Sequence, residues 1–240
     1  MIANTGPRSM PLRVGGFVPF TSTDYPGALA AVVFCQGCPW RCGYCHNPHL
    51  VPSRGDDERD FGRILDWLAD RRGLLDAVVF SGGEPTAQPA LADAIAAVRA
   101  LGFAIGIHTG GAYPRRLARV LDEVDWIGID IKAPVADYAS VTGAAGSGRA
   151  ALASLDLVLA AGTACEVRTT VHPVLTPPDA IERLARELAA RGVGRWILQP
   201  FRPTGCANAD VVAAAPRGAT PDDGLLGRLS RHVPVVEVRA

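Results

Sequence analysis

Cys38, Cys42 and Cys45 lie in the stretch CQGCPWRCGYCHNP as C-x3-C-x2-C, so three thiolates can converge from one tight loop. A cubane iron-sulfur cluster has four irons and ordinarily takes four cysteines, and a three-cysteine loop therefore leaves one iron open to a non-protein ligand. The competing chemistry is a zinc knuckle. Zinc sites favour C-x2-C units joined to a second pair or to histidines, and Cys165 and Cys206, far apart in the chain, do not repeat the spacing. Cys35, at the end of an apolar run, is either a fourth ligand or a packed thiol. His46 and His49 adjoin the loop as supporting or surface groups.

Other reactive residue types follow other apolar runs. In SGGEP, Gly82 and Gly83 let backbone approach a ligand closely, and Glu84 can accept hydrogen bonds from an ammonium group. In DIKAP, Asp130 and Lys132 are two residues apart and so share one face of a strand. Arg168, within EVRTTVHP, is flanked by β-branched residues and needs an anionic partner there.

The elements that must position these residues alternate in type from residue 29 onward. Strands are expected at Leu29 to Phe34, Ala77 to Ser81, Ala104 to Thr109, Trp126 to Ile131, Glu166 to Val171 and Trp196 to Gln199. Helices are expected near Phe61 to Arg72, Ala90 to Leu101, Pro114 to Leu121, Arg149 to Ala161 and Asp179 to Arg191, with Asp179 as an N-cap and Gly162 and Gly192 at C-caps. Six βα units are too few for an eight-stranded barrel, which leaves a partial barrel or a doubly wound sheet. In both, the strands' C-terminal ends form the active face, and the reactive residues cluster at those ends.

The chain has 240 residues, 48% of them hydrophobic, enough for one large core read as a single domain over 1–240. Lys plus Arg and Asp plus Glu each number 24, so no net field draws the molecule to nucleic acid or anionic lipid. Residues 1–13 lack the apolar stretch of a signal peptide and read as a flexible tail, and no run is apolar enough for a membrane helix. The expectation is a cytoplasmic protein without a membrane span. Residues 207–240 read as a C-terminal extension: a flexible connection from Ala207 to Ala219, a helix near Asp222 to Arg231, and a short strand from Val233 to Val238.

Cys38, Cys42 and Cys45, with Tyr44 before the last cysteine, resemble the signature of the radical S-adenosylmethionine (SAM) superfamily, and SGGEP resembles its second motif. More narrowly, the chain resembles the glycyl-radical activating enzymes, and among them the family of anaerobic ribonucleoside-triphosphate reductase activating proteins. That similarity runs from about Gly16 to Phe201 through GGFVPFTSTDYPG, CHNPHLVP, FSGGEPT, DIKAP, YASVTG at Tyr138 to Gly143, RTTVHP and LQPF.

The resemblance implies an α/β fold of the partial (β/α)6 TIM-like kind. It implies a [4Fe-4S] cluster on Cys38, Cys42 and Cys45, and SAM bound through its methionyl group to the open iron. Residues expected around SAM are Tyr44, His46, Gly82, Gly83, Glu84, Thr109, Asp130, Lys132, Arg168 and Gln199. The anion expected opposite Arg168 is Glu84 or the SAM carboxylate, or the arginine closes a purely structural salt bridge. An external donor such as flavodoxin or ferredoxin would reduce the cluster. SAM would then be cleaved to methionine and a 5′-deoxyadenosyl radical, and a glycyl radical installed on a partner anaerobic ribonucleotide reductase. No side chain need act as acid or base, though Lys132 and Arg168 would support the reaction.

One departure stands out. Activating enzymes usually read Asp-Thr-Asn-Gly after the third strand, where the acid can help to hold a monovalent cation near SAM, and this chain reads His108, Thr109, Gly110 and Gly111. Imidazole nitrogens are poor substitutes for hard oxygen donors, so no cation site is carried over. RVGGF, at Arg13 to Phe17, looks superficially like a glycyl-radical loop but reads better as the lead-in to a strand. Two alternatives remain: a radical SAM enzyme acting on another peptide or a small metabolite, and a non-catalytic iron-sulfur or zinc-binding protein. Glu84, Asp130, Lys132 and Arg168 at successive strand ends argue against the second.

Overall fold

The computed structural model describes residues 11–215 and 220–239. In chain order the elements are β1 (Val14–Thr21), β2 (Ala30–Cys35), α1 (Phe61–Ala69), β3 (Ala77–Gly82), α2 (Leu91–Ala100), β4 (Ala104–Thr109), α3 (Pro114–Leu117), β5 (Trp126–Asp130), α4 (Tyr138–Thr142), α5 (Ser147–Ala161), β6 (Ala164–Val171), α6 (Pro178–Ala189), β7 (Arg195–Pro200), α7 (Ala209–Ala214), α8 (Asp223–Leu229) and β8 (Val235–Val238). They build one sheet of eight strands in simple sequence order, β1 antiparallel to β2 and every later neighbour parallel. Parallel neighbours need a crossover, and helices supply it. Because the order never reverses, the sheet has no doubly wound switch point, and it forms a partial barrel edged by β1 and β8.

Period-two alternation divides the strands into two faces with different jobs. Val33, Phe80, Ile107, Ile129 and Leu198 belong to the main apolar core together with helix residues such as Leu68, Ile95, Leu155 and Ile181. Burying each such side chain contributes about 1.5–3 kcal/mol relative to leaving it exposed. The other face carries a small apolar cluster of Ala30, Val32, Ala77 and Val79 against Tyr25. Farther round the sheet this inner face turns polar, with His108, Asp130, Glu166 and Arg168.

The structure departs from the sequence expectations at several ends. Pro177, not Asp179, occupies the N-cap of α6; Asp179 instead pairs with Arg183 one turn on. The helix expected over Pro114 to Leu121 is only four residues long and gives way to a 3-10 turn at Leu121–Glu123. The expected flexible connection contains α7, whose N-cap Asn208 accepts from the Val211 amide at 3.3 Å, while 216–219 lie outside the described residues. Of the expected tail, 1–10 likewise lie outside them, but Leu12 is buried and the Arg13 amide donates to Gln88 Oε1 at 2.8 Å. Gly162 caps α5 in the left-handed region, at φ 68°. Among the described residues no helix is long and apolar enough to cross a membrane.

Candidate functional site

The loop carrying the three cysteines leaves β2 and is fastened by backbone on both sides. Gly37 N donates to Leu50 O at 2.8 Å and Cys38 N to Val51 O at 3.1 Å. On the other side, Arg41 N donates to Thr142 O at 2.8 Å and Gly43 N to Val141 O at 3.0 Å. Those acceptors are carbonyls at the C-terminal end of α4, which a helix leaves without internal partners. Gly143 ends that helix in the left-handed region, at φ 66°. Trp40 packs edge-on against Tyr138 with ring centroids 5.8 Å apart. The end of β3 closes the bracket, with Gly83 N donating to Cys35 O and Glu84 N to Gly37 O, both at 2.9 Å. A Cβ on Gly83 would lie 2.5 Å from Gly37 O, so only glycine allows the approach.

Cys38, Cys42 and Cys45 are free thiols, half-buried, and they line a cavity of about 140 Å³ with Tyr44, His46, Gly82, Gly83, Glu84 and Lys132. Trp40, Asn47, Val51 and Gly110 complete the lining. Burial pushes the Cys38 thiol up to about 12 and raises Cys42 as well. Both are therefore protonated until metal ions displace the protons, as thiolate ligation requires. Among the described residues no three His, Cys, Asp or Glu side chains converge on a point suited to a single metal ion. A cubane takes one thiolate per iron and spreads its ligands more widely than a mononuclear zinc ion does, so a three-thiol loop beside a cavity fits the cluster. Among the described residues the buried Tyr44 hydroxyl has no hydrogen-bond partner, and it lines the cavity, where a ligand can supply one. Cys35 is fully buried in the core, outside this cavity. His49 is exposed, and its backbone carbonyl accepts from Gln36.

Glu84 is 2% exposed and already heavily engaged. Its Oε1 accepts from Thr86 N at 3.0 Å, Thr86 Oγ1 at 2.6 Å and Thr109 Oγ1 at 2.7 Å, and its Oε2 accepts from Gly110 N at 2.9 Å. The carboxylate thus caps the turn after β3 and ties it to the end of β4, with spare acceptor capacity on Oε2 alone. Thr109 acts through this bond and is itself buried.

Arg168 does not reach Glu84: its partner is Asp130 on the neighbouring strand, with Nε 3.2 Å from Oδ1. Glu84 is taken by the cap, and parallel pairing sets Asp130 beside Arg168. Lys132 Nζ lies 3.3 Å from the other oxygen, Oδ2, so one carboxylate serves two cations. Burial alone would raise the Asp130 carboxyl, but Lys132 and Arg168 together hold it below its ordinary value. Burial likewise opposes the charge on Lys132, yet Asp130 keeps its pKa well above the ordinary one. The Tyr138 hydroxyl accepts from Lys132 N at 3.2 Å and donates to Asp130 O at 3.3 Å, fixing this strand end.

A second cavity, of about 340 Å³, shares His46 with the first and is lined by Asp24, His108, Arg168, Gln199 and Arg202 among others. His46 Nε2 donates to Arg202 O at 2.9 Å, its ring stacks on Phe201 at 5.6 Å, and burial lowers its pKa. His108 Nε2 donates to Asp24 O at 2.8 Å. Burial and the Arg168 guanidinium lower its pKa to about 4, so the ring is neutral. A larger hollow of about 590 Å³, between β1 and α1 beside Phe17 and Trp67, holds none of these groups.

The structure therefore brings the three cysteines, Tyr44, His46, Gly82, Gly83, Glu84 and Lys132 to the first cavity and Arg168 and Gln199 to the second, while Thr109 and Asp130 line neither and act through Glu84 and through the two cations. Sequence reasoning missed the mechanical role of α4, although YASVTG carried the signal in its terminal glycine. It also missed the segment after β7, where Cys206 Sγ lies 3.7 Å from Gly43 O and a Cβ on Gly205 would meet His46 O at 2.6 Å.

The family model of the radical SAM superfamily matches residues 32–188. Over 203 residues the chain is 29% identical to a Methanocaldococcus jannaschii protein described as a glycyl-radical enzyme activating enzyme, covering 81% of this chain and 82% of that one. Over 190 residues it is 32% identical to the pyruvate formate-lyase-activating enzyme of Clostridium pasteurianum, covering 76% and 79%. Among solved structures, Streptococcus suis SuiB bound to S-adenosylmethionine superposes with a TM-score of 0.62 at 13% identity, over 85% of this chain. The matched region spans 48% of that longer protein, and at this identity the likeness is one of fold.

Proposed function

Since the chain belongs to the radical SAM superfamily and, within it, to the glycyl-radical activating enzymes, we propose that it installs a glycyl radical on a partner anaerobic ribonucleotide reductase. The observation that carries the reading is the convergence of three loop thiols, the glycine turn after β3 and Lys132 on one cavity at the strand ends. The cofactors of the family, a [4Fe-4S] cluster and SAM, supply one-electron reductive cleavage of a sulfonium bond and a radical that abstracts hydrogen. Cys38, Cys42 and Cys45 hold three irons. The backbone of Gly82 and Gly83 and the spare capacity of Glu84 Oε2 receive the methionyl ammonium. Lys132 and Arg168, which share Asp130, receive the carboxylate, while Tyr44 and His46 line the adenosine side. Burial of these groups excludes water from the reacting centre.

The partner reading draws on GGFVPFTSTDYPG, YASVTG, RTTVHP and LQPF. The second cavity, reached past His46 and bordered by Gln199, is where we place the incoming glycine loop. We place the enzyme in the cytoplasm, reduced by a flavodoxin or ferredoxin. The test mixes the reduced, SAM-loaded protein with the reductase encoded in the same genome and follows deoxyadenosine and the electron paramagnetic resonance spectrum. The expected result is a doublet that collapses when the reductase glycine is deuterated. Deoxyadenosine with no such signal on that reductase would move the target to another glycyl-radical enzyme or a smaller substrate.

A further inference from the structure

Resting on the SAM reading of this site, we propose that the Arg168 guanidinium is its built-in cation, and that the enzyme holds the SAM carboxylate without an alkali-metal ion. The donor set at the end of β4 does not suit a metal. His108 Nε2 faces the Asp24 carbonyl at 2.8 Å and must carry the proton of that bond, which leaves a lone pair only on Nδ1, a nitrogen in place of the hard oxygen an alkali ion prefers. Several of the nearby hard oxygens already hold partners. Thr109 Oγ1 donates to Glu84 and accepts from Gly111 N, and Asp24 Oδ2 accepts from Thr21. The two Asp130 oxygens are taken by Arg168 and Lys132.

The guanidinium occupies the neighbourhood instead. Its Nη1 lies 3.5 Å from His108 Nε2, and its Nη2 is 3.4 Å from Gly128 O. A metal cation placed there would sit against a fixed positive charge. The seat is also shaped for arginine, since a Cβ on Gly128 would lie 2.6 Å from the guanidinium carbon. Lys132 and Arg168 share the single carboxylate of Asp130, so neither has a counter-ion of its own, and a ligand carboxylate can join them.

Calorimetric titration of the cluster-loaded protein with SAM, in sodium, potassium and tetramethylammonium chloride at equal ionic strength, tests the assignment. Affinities agreeing within roughly threefold are expected, and tightening by more than that in either alkali salt would overturn it. Arg168→Met, with iron content unchanged, should bind SAM roughly tenfold more weakly in tetramethylammonium chloride. Arg168→Lys keeps a charge in place and should stay indifferent to the salt. Wild-type affinity in the methionine variant would also overturn the proposal. Failure to bind SAM in every salt would sink the reading beneath it, whereas alkali-dependent binding would sink this inference alone.

Discussion

The two adjoining cavities are built by opposite means. Around the cysteines the chain is held by backbone bonded to backbone: Gly37, Cys38, Arg41, Gly43, Gly83 and Glu84 all donate amide protons to main-chain carbonyls of other segments. Around Arg168 the work falls to a side chain reaching across strands, with Asp130 and the Gly128 carbonyl of β5 and His108 of β4 surrounding one guanidinium. The first arrangement fixes a shape for a bulky inorganic group almost regardless of side chains other than the thiols. The second fixes a charge, and single substitutions can retune it.

Substitutions on the loop side should have the larger effects. Cys38→Ala, Cys42→Ala or Cys45→Ala should each abolish the four-iron complement, measured by iron and sulfide analysis after anaerobic reconstitution, while Cys35→Ala keeps it. Glu84→Ala should destabilise the fold by about 3 kcal/mol, because Thr86, Thr109 and Gly110 all lose the same buried acceptor. Denaturant unfolding of the apoprotein would measure it, and a loss of SAM affinity at unchanged stability would show instead that the carboxylate serves only the ligand.

On the charge side, Gly128→Ala should displace Arg168 and cost about 1–3 kcal/mol through overpacking, with weakened SAM binding and intact iron. The smallest effect is a pH dependence. The His108 pKa is lowered to about 4 in the folded chain, below its value in the unfolded chain, so the unfolded state binds the extra proton first. The stabilisation is complete above the unfolded value near 6.5 and is lost as pH falls from there toward 4. Between pH 7 and 5 the wild type should lose about 2 kcal/mol from this group, and His108→Gln should lose correspondingly less, as read by urea unfolding at the two pH values.

The same contrast decides what the sequence made legible. Backbone-built features leave local marks: C-x3-C-x2-C, Gly82-Gly83 and the period of each βα unit could be read in place, and the six inner strands lie where alternation put them, within a residue or two. Charge pairing between strands leaves no local mark, and so Arg168 was open to several partners until β5 and β6 were seen in register. The role of Glu84 was hidden for a related reason, since Thr109 and Gly110 lie one βα unit downstream. The cap of α6 was misplaced because Pro177 and Pro178 start that helix before Asp179, and α7 was lost in an Ala- and Pro-rich stretch whose only signal was Asn208.

The central claim is that three thiols leave one iron of the cluster open for SAM. Mössbauer spectroscopy of the protein reconstituted with iron-57 reads it directly. Adding SAM should shift about one quarter of the iron signal to higher isomer shift, as expected when one iron of a cubane gains nitrogen and oxygen ligands, and leave the other three irons unmoved. A spectrum unchanged by SAM, or a protein that holds a single metal ion on the loop, would contradict the account.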